Sequence, residues 1–167
     1  MRRIATVAVA TLMFIGMQSA WGVSATDPQD TRGGLDIASS SIRTVQIAEG
    51  VFRTRIAVST YKPFDLSTGE GSFFWQIDSY GDGAVDYAVF MFGDPEAAPA
   101  APAFCLVKSR NPDVIYKAYV PVATTDTRVV CGLPRRDLKM TKDVRWRVAG
   151  RLGDLVDRAP DSGWNGG

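Results

Sequence analysis

Between Ile42 and Val148 the apolar residues fall in short runs, several with a period of two, and glycine, proline or aspartate interrupts each run before it reaches helical length. No other feature constrains the fold as much, because a period of two places alternate side chains on opposite faces of an extended strand. In residues 51–60, Phe52, Thr54, Ile56 and Val58 share one face while Arg53 and Arg55 share the other. Val144, Trp146 and Val148 alternate with Arg145 and Arg147 in the same way. Residues 42–48 alternate too and are closed by Glu49-Gly50. Each reads as a half-buried antiparallel strand.

Residues 72–78 and 85–92 are more continuously apolar and rich in aromatics, which predicts central strands. Residues 79–84 between them are short and glycine-bearing, and predict a hairpin turn. Residues 35–38, 103–108, 114–120 and 127–131 add further strands. Residues 94–102 carry three prolines, which lack a backbone donor, so this stretch is a surface excursion and not an interior strand. Eight or nine short strands without a long helix predict an all-β, antiparallel β-sandwich with a jelly-roll-like topology. A closed barrel is the alternative.

The N-terminus carries a different signal. Met1-Arg2-Arg3 is a short basic stretch, and residues 4–17 are uncharged and mostly apolar. Val23-Ser24-Ala25 then presents the small residues that a signal peptidase reads. Residues 1–25 are predicted to be a signal peptide cut after Ala25, with Ala20 as the second choice, leaving residues 26–167 as a single domain. A spanning helix needs about 20 apolar residues, more than this run offers, so contact with a membrane is expected only through the transient signal. The expected location is secreted and extracellular.

Export changes how the composition reads. Arg2 and Arg3 leave with the signal, so seventeen basic residues face eighteen acidic ones and the net charge moves from +1 to −1. A near-neutral domain has no overall pull toward polyanions, and nucleic acid is not an expected partner. The chain has no histidine. That removes the commonest general base, the histidine-activated serine and cysteine nucleophiles, and the usual zinc ligands. Carboxylates, lysine, tyrosine and a Ser-Lys pair remain for any catalysis. The two cysteines, Cys105 and Cys131, form an even pair in a chain read as exported, which predicts a disulfide.

The sharpest local motif is Asp78-Ser79-Tyr80-Gly81-Asp82-Gly83-Ala84-Val85-Asp86. Acidic residues at its first, fifth and ninth positions and glycine at its sixth match the spacing of calcium loops, where a tight turn lets hard oxygens converge. Asp78, Asp82 and Asp86 would supply carboxylates and Ala84 a backbone carbonyl. Tyr80 stands at the third position and Val89 at the twelfth, and neither flank is helical, so the motif is not an EF-hand. Its competing reading is a plain hairpin in which Asp-Gly is chosen for backbone conformation.

A second acidic group is split between the ends of the domain: Asp27, Asp30 and Asp36 near its start, Asp157 and Asp161 near its finish. Domain termini often lie close together, so these residues would form a shared ion site, pair with Arg32 and Arg158, or line solvated turns. Among the aromatics, Trp75 and Trp146 read as core, while Tyr61, Tyr80 and Trp164 are open to a stacking role on sugar rings.

The string Asp27-Pro28-Gln29-Asp30-Thr31-Arg32-Gly33-Gly34-Leu35-Asp36-Ile37 resembles the mature start of a group of uncharacterised secreted bacterial proteins. Ile77-Asp78 with Gly81-Asp82-Gly83 and Asp86-Tyr87, Leu133-Pro134-Arg135, Trp146-Arg147-Val148 and Asp157-Arg158-Ala159-Pro160-Asp161-Ser162-Gly163 extend the resemblance over most of the mature chain. More distantly, the layout is similar to secreted ligand-binding sandwiches such as the DOMON and family 9 carbohydrate-binding modules. That likeness implies a binding module, often with a structural calcium; no sugar-binding aromatic pair carries over. The expected function is thus a secreted, non-catalytic binding module for glycan or cell-envelope material, with calcium as its cofactor. The alternatives are a small carboxylate-dependent glycan hydrolase and a structural or interaction protein without a small ligand.

Overall fold

The computed structural model describes residues 19–31, 35–93, 96, 103–110, 120–121, 123–135, 138 and 140–166. Most of the expected signal, Arg32 and most of the expected strand at 114–120 lie outside the described residues. What is described is all-β: two antiparallel sheets packed as a sandwich.

The first sheet has the order β1-β2-β3-β9-β8. Its strands are β1 (Ser19–Thr26), β2 (Ile37–Ala48), β3 (Val51–Thr60), β8 (Ala123–Thr125) and β9 (Arg128–Pro134). The second runs β11-β10-β4-β5-β6-β7, with β12 also paired to β10. It comprises β4 (Gly71–Asp78), β5 (Tyr87–Gly93), β6 (Ala103–Ser109), β7 (Val120–Pro121), β10 (Arg145–Leu152), β11 (Leu155–Ala159) and β12 (Asn165–Gly166). Sequential hairpins build β1-β2-β3 and β4-β5-β6, and two long returns bring β9 beside β3 and β10 beside β4. There are more strands than the eight or nine expected. The additions are the short β8 and β12, too brief to show a period, β11, and β1, which lies in the segment read as signal; β7 falls at the end of the strand expected over 114–120, and the strands expected over 35–38 and 42–48 are one, β2.

The predicted alternation sets the core. Ile56 and Val58 of β3 point inward with Val129, Cys131 and Leu133 of β9, while Arg53 and Arg55 stay exposed. Facing them are Phe73, Trp75 and Ile77 of β4, Val89 and Met91 of β5, and Trp146 and Val148 of β10. Trp75 and Trp146 are fully buried, as expected. The Trp146 indole N–H donates to Ser40 Oγ at 2.9 Å, which satisfies its one polar atom across the sandwich. Each large buried side chain contributes about 1.5–3 kcal/mol.

Cys105 on β6 and Cys131 on β9 are disulfide-bonded, with Cα atoms 6.1 Å apart, so the bridge ties one sheet to the other through the core. β1 lies along the free edge of β2, from Ser19 opposite Val45 to Thr26 opposite Ser39. Trp21, Val23 and Ala25 pack partly buried against the core. A cut after Ala25 removes all of this strand but Thr26, whereas a cut after Ala20 keeps Trp21 to Thr26.

Candidate functional site

Asp27 follows β1 and Asp36 precedes β2, so the connection between these strands carries one acidic residue at each end. Asp157 reaches the same place from the other sheet. On β11, Asp157 and Ala159 face inward and Arg158 outward, by strand alternation. Asp157 pairs with Gly150 of β10, and that glycine is required by close approach: a Cβ there would lie 2.8 Å from the carbonyl oxygen of Leu35. The missing side chain lets the residues before β2 pass over the sheet edge. Ile37 N–H then donates to Asp157 Oδ2 at 2.6 Å, and Thr31 Oγ1 donates to Asp157 Oδ1 at 2.9 Å.

The result is a carboxylate cluster. Asp27, Asp30 and Asp157 each bring an oxygen within 4.8 Å of the others. Asp27 is 6% exposed and Asp157 3%, while Asp30 opens to solvent. Oδ2 of Asp27 and both carboxylate oxygens of the fully buried Asp36 have no hydrogen-bond partner. Burial first, and then the charges of Asp157, Asp161, Asp30 and Asp36, push the Asp27 carboxyl up to about 7. Asp161 is also raised, chiefly by the charge of Asp30. Carboxylates from both ends of the domain therefore meet, among Asp27, Asp30 and Asp157. Arg158 turns to the opposite face.

The Asp78 loop is organised differently. Asp78 is fully buried, and its carboxylate accepts from Gly81 N–H at 2.6 Å, Asp82 N–H at 3.1 Å and Gly83 N–H at 2.7 Å. Asp86 Oδ2 accepts from both the N–H and the hydroxyl of Ser79, and Asp82 Oδ1 accepts from Ala84 N–H. Gly81 and Gly83 hold φ of 76° and 90°, conformations that favour glycine. The three carboxylates thus serve the backbone of the turn, and among the described residues the set whose oxygens converge within 4.8 Å is the terminal one.

The outer faces of the two sheets differ in kind. That of the first is serine- and arginine-rich, with Ser24, Ser39, Ser41, Arg43 and Arg128 along one shallow hollow. That of the second is aromatic: Phe74 of β4 pairs with Phe90 of β5, their rings 4.8 Å apart, and Phe92 lies beside them. Next to Phe74 a groove is lined by Gln76, Arg147, Ala149, Arg158 and Pro160. Arg147 is fixed from two sides: its Nε donates to Gln76 Oε1, and its guanidinium lies 4.9 Å from the centre of the Trp164 ring.

No family model, curated protein or solved structure matches this chain.

The groove residues on β4 and β10 escaped the sequence reading, although a signal for the face was present. Apolar residues at both alternate positions of residues 72–78 and 85–92 predict central strands without saying which face is covered. The structure shows one face buried and the other half-exposed. Of the three aromatics left open, Trp164 lies under Arg147, Tyr80 is exposed, and the Tyr61 hydroxyl donates to the Asp27 carbonyl at 2.6 Å.

Proposed function

We propose that this chain is an exported, non-catalytic binding module that holds a glycan or other cell-envelope polymer on the outer face of its second sheet. The observation that carries this reading is the groove beside Phe74, where that half-exposed ring, stacked near Phe90, meets Gln76, Arg147 and Arg158. Aromatic faces stack on the apolar faces of sugar rings, while amide and guanidinium donors bind hydroxyls and carboxylates. Two guanidiniums in one groove favour an acidic polymer. The resemblance of the layout to secreted carbohydrate-binding sandwiches points the same way.

A carboxylate-dependent hydrolase finds a partial counterpart in Asp27, whose raised carboxyl stands beside a second aspartate, since glycan hydrolysis uses a pair of carboxyl groups. Asp27 and Asp157 are too buried to admit a sugar between them, which favours binding over turnover.

The test is retention of the exported protein on a panel of neutral and acidic polysaccharides. Phe74→Ala and Arg147→Ala should each weaken retention at least about 10-fold, the equivalent of one lost good contact, without unfolding the protein. Retention on no polysaccharide would sink the reading, and glycan hydrolysis lost in Asp27→Asn would replace it with the enzyme.

A further inference from the structure

We infer that Asp27, Asp30 and Asp157 form a divalent-cation site, taken by calcium, that ties the connection between β1 and β2 to β11. The three carboxylates approach within 4.8 Å of one another. That is the widest spacing two oxygens can have when each is about 2.4 Å from one calcium ion. All the side-chain donors are hard oxygens, which suits calcium and not zinc or copper.

The independent observation is the unpartnered oxygen of Asp27. This side chain is more than nine-tenths buried, it belongs to the convergent group, and its Oδ2 meets no donor. Asp36 nearby in the same connection is fully buried with both oxygens equally without a partner. Buried carboxylates without donors are costly, and gathering several in one place adds repulsion. A divalent cation removes both costs at once. Ile37 N–H and Thr31 Oγ1 donate to Asp157 and hold it in place, and Thr31 Oγ1 also reaches Oδ1 of the exposed Asp30 at 3.3 Å, while Oδ2 of Asp27 keeps its acceptor capacity. In the Asp78 loop, by contrast, both carboxylate oxygens of the buried Asp78 already accept backbone amides.

This inference is independent of what the outer face binds. It is tested on the exported protein by thermal unfolding with calcium and with chelator, and by terbium luminescence. Calcium should bind with a Kd of about 0.1–1 mM, the range of extracellular sites. At ten times the Kd it should raise the melting temperature by about 5 °C, and chelator should reverse the rise. Asp30→Asn, at an exposed position, should abolish the rise, and Asp82→Asn should leave it intact. Terbium in the pocket should be sensitised by Tyr61, whose hydroxyl rests on the Asp27 carbonyl, and Tyr61→Phe should remove that emission. No calcium response in the wild type overturns the site. So does a response that survives Asp30→Asn, or one lost only in Asp82→Asn, which would move the ion to the Asp78 loop.

Discussion

The backbone N–H of Ile37 donates to Oδ2 of Asp157 over 2.6 Å, joining the first residue of β2 to the middle of β11 across 120 positions of sequence. The bond fixes the start of one sheet to the edge strand of the other. It also sets the direction from which Asp157 faces Asp27. Replacing Asp157 with alanine should cost about 2–3 kcal/mol, since a buried N–H loses a charged acceptor. Asp157→Asn should cost less, because the amide oxygen still accepts from Ile37. Urea unfolding in chelator reads both, and equal losses for the two variants would argue against this role.

In the metal-free protein, Asp27 should make stability depend on pH. Its carboxyl is raised from 3.8 to about 7 in the folded chain, so the folded state binds the proton more tightly than the unfolded state does. Its contribution is fully present below about pH 4 and is lost as pH rises through about 7. With chelator present, the wild type should therefore lose stability from pH 4 to 7 relative to Asp27→Asn, which cannot ionise there. Parallel pH profiles for the two proteins would exclude Asp27 as the source.

The bridge between Cys105 and Cys131 closes a 26-residue separation between the sheets. Its removal in a Cys105→Ala, Cys131→Ala double variant should lower unfolding free energy by about 3–4 kcal/mol. Reductant should do the same to the wild type and nothing further to the double variant.

β1 gives the expected signal cut a structural consequence. A chain beginning at Trp21 keeps Trp21 and Val23 against the core, and one beginning at Thr26 does not. The longer chain should unfold at a higher denaturant midpoint. The shorter one exposes the edge of β2 and should self-associate more readily, read by light scattering. N-terminal sequencing of the protein made in cells identifies whether either cut occurs; both forms retain Asp27.

Local chemistry explains how much of the fold was legible. The alternation at residues 51–60 and 144–148 reports burial directly, because a strand's two faces see different solvents. Trp75 and Trp146 read as core because most strand aromatics are packing, and an even pair of cysteines in a chain expected to be exported reads as a disulfide. The Asp78 loop was legible as a glycine-supported turn. Its carboxylates could not be assigned from spacing alone, because backbone amides compete for the same lone pairs that a cation would use.

The sequence by itself determined the strand period, the sandwich class, the two tryptophans of the core and the cysteine pair, all properties written in neighbouring residues or in composition. Only the tertiary structure decided which aspartates meet. Asp27 and Asp157 are 130 residues apart, and their approach depends on the β11 register and on Gly150 admitting the Leu35 carbonyl. It also decided that Phe74 and Phe90 face outward beside Arg147, since two consecutive apolar positions in a strand do not say which face a second sheet covers.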